Sequence, residues 1–172
     1  MKNDQVAETT ANHKKFWKDL KSGRFASMVK ESSKGEALLS SMDVFNVMRP
    51  MIVEHDDMEC LYCIFLNCKN KILSIEKMFT GTISQASVYP REIIKKMLVL
   101  KAAAMIMVHN HPSGCPHPSG TDDRITKTVF IALHSIGAVL HEHIVIGERE
   151  FFSYADYGMM EKIRKDVSPL FE

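Results

Sequence analysis

The sequence predicts one α/β domain built on a mixed sheet flanked by helices. Two observations point to this class. Apolar segments of strand length alternate along the chain with segments whose apolar residues recur at helical spacing. In addition, the run Cys60–Leu66 is apolar throughout, which is typical of a strand covered on both faces. The 172 residues, 45% of them hydrophobic, suffice for a single core of ordinary size.

The first part of the chain, residues 1–41, is charged and poorly patterned. We expect it to form a leader or helical extension, with the domain proper at residues 42–172. Residues 32–35 are predicted to be a linker. One amphipathic helix is expected before it, ending near Gly23 and carrying Phe16, Trp17, Leu20 and Phe25.

The elements of the domain follow from periodicity and from turn residues. Strands are predicted at residues 60–66, 72–79, 104–108 and 138–146. Helices are predicted over residues 36–48, from Pro90, from an N-cap at Ser119 to residue 135, and over residues 159–165. The first of these helices is expected to stop before Pro50, and the third to end at Gly137.

The segment His109-Asn110-His111-Pro112-Ser113-Gly114 is the candidate functional site. Its two histidines follow an apolar run, and residues two apart on a strand point to the same face. Asp122 comes at the start of the next predicted helix. Two histidine nitrogens and one carboxylate oxygen leave one position open on a tetrahedral zinc ion, which is the catalytic arrangement.

Simpler interpretations exist for each piece. Ser119-x-x-Asp122 also matches a helix capping box, and Pro112-Ser113-Gly114 also matches a plain turn. The combination of these pieces in one short segment favours a metal site. A second pair, His141 and His143, has the same spacing but no comparable third ligand nearby. We interpret Glu142 and His143 as strand-end polar residues that support the metal from outside the ligand set.

The cysteines are not predicted to bind metal. Cys60 and Cys63 stand three apart on a predicted strand and therefore point to opposite faces, which favours two buried apolar side chains. Cys115, in the site loop, is interpreted as a plain loop residue.

Metal-dependent hydrolysis also needs a carboxylate that moves the proton of a water molecule. Spacing does not choose among the acidic candidates. Glu59 is distinctive because it directly precedes a buried strand, although a solvated acid at a strand start explains it equally well. The candidates are Glu54, Asp56, Asp57, Glu59, Glu76 and Glu142.

The order His109-x-His111, then Ser119 and Asp122, matches the JAMM motif of JAB1/MPN metalloproteases. The fuller sequence resembles the RadC-like DNA repair protein branch of that family over residues 42–158. The residues that carry this closer resemblance are His-Asn-His-Pro-Ser-Gly at 109–114, Pro118-Ser119, Asn67-x-Lys69-Asn70, Gly81-Thr82, Pro90-Arg91-Glu92 and His143-Ile144-Val145-Ile146-Gly147.

This resemblance implies a JAB1/MPN, cytidine-deaminase-like α/β fold with zinc in the site. It assigns His109, His111 and Asp122 as ligands, with water completing the coordination. It assigns Glu59 as general acid/base and Ser119 as the hydroxyl that hydrogen-bonds a developing oxyanion. The sequence departs from the branch at three points: Cys115 and Glu142 stand where the branch usually has an acid and an aspartate, and residues 1–41 lack a helix-hairpin-helix pattern.

The expected function is a zinc-dependent metallohydrolase that acts on a peptide or isopeptide substrate. The alternative is a DNA repair or recombination accessory protein with a structural or degenerate metal site, although the net charge of +1 gives no argument for nucleic acid. Deaminase chemistry would require a PCxxC ligand pattern, which the sequence lacks. We expect a cytoplasmic protein without a membrane span, and leave DNA binding and homo-oligomer formation open.

Overall fold

The computed structural model describes Lys15 and residues 22–52, 57–81 and 88–171. It contains a five-stranded mixed sheet with helices on both faces, as the sequence predicts. The strands are β1 (Cys60–Leu66), β2 (Ile72–Thr80), β3 (Ala104–Asn110), β4 (Val139–Ile146) and β5 (Phe151–Ser153). The helices are α1 (Arg24–Ser32), α2 (Ser41–Ile52), α3 (Pro90–Leu100), α4 (Gly120–His134) and α5 (Met159–Val167), and a 3-10 turn (Ser168–Leu170) follows. None of the described helices is long and apolar enough to cross a membrane.

The strand order is β2-β1-β3-β4-β5. Strand β1 runs antiparallel to β2 and β3, whereas β3 and β4 are parallel and are connected by α4. Because β1 and β3 are antiparallel, the start of β1 lies beside the end of β3, where Leu61 pairs with His109. The first turn of α4 follows β3 after a short loop. Three separate segments therefore meet at one edge of the sheet.

The sheet separates two hydrophobic clusters. One face packs against α3, α4 and α5, and the other packs against α2. Cys63 belongs to the first cluster and Cys60 to the second, and both are free and buried, as predicted. Burial raises the pKa of the Cys63 thiol far above its usual range, so this side chain behaves as a small hydrophobe.

The N-terminal elements differ from the prediction. Gly23, whose φ is 76°, directly precedes α1, and the residues before it that would carry the predicted helix lie outside the described part of the chain. Phe25 lies in α1, whereas Phe16, Trp17 and Leu20 lie outside the described residues. The predicted linker at residues 32–35 instead ends α1 and leads into a bridge between Ala37 and Lys71 at the start of β2.

Helix α2 begins five residues later than predicted and continues through Pro50. Its start is fixed by Ser40, whose hydroxyl accepts the Asp43 N–H at 3.1 Å. Its last turn includes Met51 and Ile52, which are buried against the sheet and hold the helix past the proline. As a result Leu39, which the predicted helix would have included, precedes α2 and is 88% exposed.

Candidate metal centre

Four side chains that can bind a metal meet at the edge formed by β1, β3 and α4. They are Glu59, His109, His111 and Asp122, and their candidate ligand atoms all lie within 4.8 Å of one another. Glu59 directly precedes β1, His109 is near the end of β3, His111 follows that strand, and Asp122 is in the first turn of α4. The structure thus brings together the three predicted ligands and the predicted acid.

The spacing of the donor atoms fits a single tetrahedral ion. His109 Nε2 lies 3.0 Å from His111 Nε2 and 3.3 Å from Asp122 Oδ1, and His111 Nε2 lies 3.6 Å from Asp122 Oδ2. Ligand atoms about 2.05 Å from a tetrahedral zinc ion are roughly 3.3 Å apart, which lies within this range. A closed group of two imidazoles and one carboxylate therefore has room for such an ion at its centre.

The tautomer of His111 also fits metal binding. Its Nδ1 lies 2.8 Å from the Cys115 carbonyl oxygen, which can only accept a hydrogen bond. Nδ1 therefore carries a proton, which leaves Nε2 as the ring nitrogen that faces the cluster. Cys115 supports the site with its backbone, while its thiol lies 3.5 Å from His117 Nδ1.

The cluster combines a buried anion with a buried neutral ring. Burial raises the pKa of the Asp122 carboxyl, but its hydrogen bonds with His111 and Ser119 outweigh this effect and hold the pKa well below its usual range. Burial lowers the pKa of His109 well below 6.5. The hydrogen bond with Asp122 raises the pKa of His111. This bond favours a proton on His111 Nε2 in the metal-free protein, and a metal ion would displace that proton on binding. A carboxylate and two imidazoles form a donor set that divalent zinc prefers.

Ser119 is the N-cap of α4, and it both donates hydrogen bonds to Asp122 and accepts one from it. Its hydroxyl accepts the Asp122 N–H at 3.3 Å and donates to Asp122 Oδ2 at 2.6 Å, while its own N–H donates to the same oxygen at 2.6 Å. The capping box and the site therefore share these two residues. The Ser119 N–H and the Ser119 hydroxyl both donate to Asp122 Oδ2, which leaves Oδ1 facing His109.

Asn110, between the two histidines, holds the segment that carries Glu59. Its Oδ1 accepts the Cys60 N–H at 2.8 Å, and its Nδ2 donates to the Met58 carbonyl at 2.9 Å. The two peptide groups on either side of Glu59 are thus bound by one amide. No local pattern in the sequence points to this role of Asn110, because its partners are about fifty positions away in the chain.

The loop that carries His111 is attached to the end of β4. The His111 N–H donates to the Ile146 carbonyl at 2.9 Å, and the Glu148 N–H donates to the Gly114 carbonyl at 3.0 Å. Gly147 approaches so closely that a Cβ there would overlap the Gly114 carbonyl oxygen. The last residues of β4 therefore fix this loop beside the cluster.

A groove of about 360 Å³ lies next to His111. Its walls are the end of α2, the turn at residues 111–114 and the end of β4 at residues 146–148. Arg49 and Glu148 place opposite charges along it.

Comparison with known proteins identifies the family of this chain. A family model described as "RadC-like JAB domain" matches residues 38–159. The chain belongs to this family. It is 45% identical over 108 residues to a UPF0758 protein of Coxiella burnetii (strain Dugway 5J108-111), covering 63% of the chain and 48% of that protein.

Two further relatives are similar over a longer stretch. A UPF0758 protein of Thiobacillus denitrificans (strain ATCC 25259 / T1) is 37% identical over 131 residues, which is 76% of the chain and 58% of that protein. A UPF0758 protein of Vibrio atlanticus (strain LGP32) is 40% identical over 126 residues, which is 73% of the chain and 56% of that protein. The RadC-like chain spans about half the length of the curated relatives it matches.

The second histidine pair of this RadC-like domain is split between the two faces of the sheet. In the β3–β4 ladder Met105 pairs with Leu140 and Ile106 pairs with Glu142, so His141 is the extra residue of a bulge. His141 is exposed and lies 2.9 Å from Asn70 Oδ1. His143 is buried, and its Nε2 lies 2.8 Å from His109 Nδ1. His143 thus contacts a candidate ligand, although it lies within β4 instead of at a strand end.

The remaining acidic candidates are used elsewhere or lie outside the described residues. Glu142 accepts hydrogen bonds from the Ser153 hydroxyl and from the His143 and Ala155 N–H groups. Glu76 pairs with Lys30 and Lys96 on the far side of β1. Asp57 is exposed. Glu54 and Asp56 belong to the part of the chain that the structure does not describe.

Proposed function

We propose that this protein is a zinc-dependent metallohydrolase that cleaves an amide bond in a peptide or isopeptide. The observation that carries the proposal is the cluster of Glu59, His109, His111 and Asp122, whose candidate ligand atoms lie within 4.8 Å of one another. Membership of a JAB-domain family supports it. The identity of the metal, the substrate and the roles of the individual residues are parts of the proposal.

His109 Nε2, His111 Nε2 and the Asp122 carboxylate would hold the ion. When bound, zinc would polarise the amide carbonyl and lower the pKa of a water molecule. Glu59 is the residue that moves protons: its carboxylate would accept one from the water and pass it to the leaving nitrogen. The Asn110 amide fixes the peptide groups on both sides of Glu59, so the carboxylate is held at the cluster.

Ser119 would supply a hydrogen bond to the developing oxyanion. It has one O–H proton, which it donates to Asp122 Oδ2. The proposed role therefore requires the hydroxyl to turn from Asp122 toward the substrate, while the Ser119 N–H keeps its own bond to Oδ2. The groove beside His111 would bind the chain on one side of the scissile bond.

Glu59→Gln tests the proposal, with Asp57→Asn as the matched control because Asp57 is an exposed acid on the same segment. Glu59→Gln should bind one equivalent of zinc and lose hydrolysis by about 10²–10⁴-fold, since only the proton acceptor is removed. Asp57→Asn should keep both properties. Zinc content is measured by elemental analysis and cleavage with peptide and isopeptide panels.

Two outcomes would contradict the proposal. Loss of zinc in Glu59→Gln would make Glu59 a ligand instead of an acid/base. A wild-type chain that binds zinc but cleaves no peptide or isopeptide in the panels would exclude the hydrolase. The accessory role in DNA repair would then be the remaining prediction. It is tested by a salt-dependent mobility shift with single- or double-stranded DNA.

A further inference from the structure

A chain of three buried hydrogen bonds runs from His109 away from the cluster and returns to it. His109 Nδ1 lies 2.8 Å from His143 Nε2, and His143 Nδ1 lies 2.6 Å from Thr126 Oγ1. Thr126 Oγ1 in turn lies 2.6 Å from the carbonyl oxygen of Asp122. The side chains of His109, Thr126 and His143 are almost completely buried. Asp122 thus contacts His109 directly through its carboxylate and indirectly through this relay.

The carbonyl oxygen of Asp122 sets the direction of every bond in the relay. A carbonyl carries no proton, so the single O–H of Thr126 donates to it. Thr126 must then accept from His143 Nδ1–H. A buried imidazole with its one proton on Nδ1 has a lone pair on Nε2, so His143 accepts from His109 Nδ1–H.

A neighbouring tyrosine leaves this direction unchanged. The Tyr154 hydroxyl lies beside Thr126 and donates to Asp123 Oδ1 at 2.8 Å. It therefore offers Thr126 only a second acceptor, and His143 remains the donor to Thr126. The Tyr154 ring also stacks on the His143 ring, with centroids 4.8 Å apart and an interplanar angle of 22°. This stacking keeps the imidazole in the plane that the relay requires.

We propose that Thr126 and His143 are positioning residues that fix the proton of His109 on Nδ1. His109 Nε2 then keeps its lone pair, and this is the atom 3.0 Å from His111 Nε2 and 3.3 Å from Asp122 Oδ1. With the relay reversed, a proton on Nε2 would point into the cluster and block metal binding. The proposal deepens the proposed function, because it rests on the same metal site.

Thr126→Val and Thr126→Ser separate the hydroxyl from the packing. Valine keeps the volume and removes the O–H, whereas serine keeps the O–H and removes the methyl group. The imidazole tautomers of the metal-free protein are measured by long-range ¹H–¹⁵N correlation, and zinc affinity by competition with a chromophoric chelator. Wild type and Thr126→Ser should show Nδ1–H on both His109 and His143.

Thr126→Val should show a mixture of tautomers at His143 and bind zinc about 10–100-fold more weakly. His143→Phe, which keeps an aromatic ring against Tyr154 but removes the acceptor of the His109 proton, should lose affinity to a similar degree. Thermal unfolding of the metal-free variants measures stability separately. A role in packing alone would lower stability with serine and leave zinc affinity unchanged with valine.

An Nε2–H signal on His109 in the wild type, or wild-type zinc affinity in Thr126→Val, would overturn the proposal. If Thr126→Val does not fold, the wild-type spectrum decides by itself. Failure of this proposal can be distinguished from failure of the proposed hydrolase. In a chain that binds zinc and cleaves nothing, the imidazole tautomers and the zinc affinity can still be measured. A chain that binds no zinc still reports its tautomers.

Discussion

Two His-x-His pairs lie in or directly after neighbouring parallel strands, and their side chains are arranged differently. His109 and His111, at the end of β3, place their Nε2 atoms 3.0 Å apart. His141 and His143, in β4, are divided by a bulge that leaves His141 exposed and His143 buried. The spacing in the sequence is identical. What differs is the hydrogen-bond ladder, which decides whether alternate residues share a face.

One residue of the second pair nevertheless contacts the candidate centre. His143, from the second pair, contacts His109 of the first, and the end of β4 holds the loop that carries His111. The β3 pair supplies candidate ligands, and the β4 pair supplies one support and one surface residue. Three experiments test this division, from the largest expected effect to the smallest.

Replacing one histidine of each pair should give the largest difference in zinc affinity. His111→Ala should weaken zinc binding by at least about a hundredfold. Removing a ligand should lower zinc affinity more than removing an outer support does, and the latter lowers it by about 10–100-fold. His141→Ala should bind zinc as the wild type does, since its partner is Asn70. Isothermal titration with zinc measures both, and equal losses would remove the distinction between the pairs.

The two asparagines that serve these regions should also differ. Asn110→Ala leaves the Cys60 N–H and the Met58 carbonyl without their partner, and should lower the free energy of unfolding by about 1–3 kcal/mol. Asn70→Gly removes the partner of His141 at a position whose φ of 56° glycine adopts easily. It should change the free energy of unfolding by less than about 0.5 kcal/mol.

Urea unfolding of the metal-free chains measures this difference. Hydrolysis by Asn110→Ala should also fall while zinc affinity is kept, because the amide holds the segment of Glu59 and not the ligands. A stability change of equal size in both asparagine variants would contradict the role given to Asn110.

The contact between β4 and the His111 loop should give the smallest effect. Gly147→Ala places a methyl group against the Gly114 carbonyl and Pro116, so the loop must move, at a cost within the about 1–3 kcal/mol range for overpacking. Zinc affinity should fall modestly with it. Gly120→Ala, which meets open space, is the control. Unchanged zinc affinity in Gly147→Ala would show that β4 does not position His111.

The sequence predicted elements whose signals are local. Strand β1 has the predicted bounds, and Ser119 caps α4 as expected, because an apolar run and a capping box need no distant contact. The start of α2 and its passage through Pro50 were missed. There the capping bond of Ser40 and the burial of Met51 outweigh the local effect of proline.

Part of the candidate site was visible in the sequence and part was not. The order of His109, His111 and Asp122 pointed to one cluster, because all three lie on a short segment. Spacing could not select Glu59 among six acids; the resemblance did so, and the structure places it at the cluster through the β1–β3 ladder. The bulge at His141 and the role of Asn110 depend on pairings between distant strands, which no short pattern records.

The antiparallel pairing of β1 and β3 has a consequence for how this domain can diversify. Leu61 stands opposite His109, so the acid before β1 and the ligands after β3 are brought together by the ladder and not by the length of the connection. Residues inserted between the end of β1 and the start of β3 would leave their separation unchanged. A slip of one residue between the two strands would instead turn Glu59 to the opposite face and separate it from the ligands. Insertions in that connection can therefore change the surface of the domain without separating the residues of its candidate site.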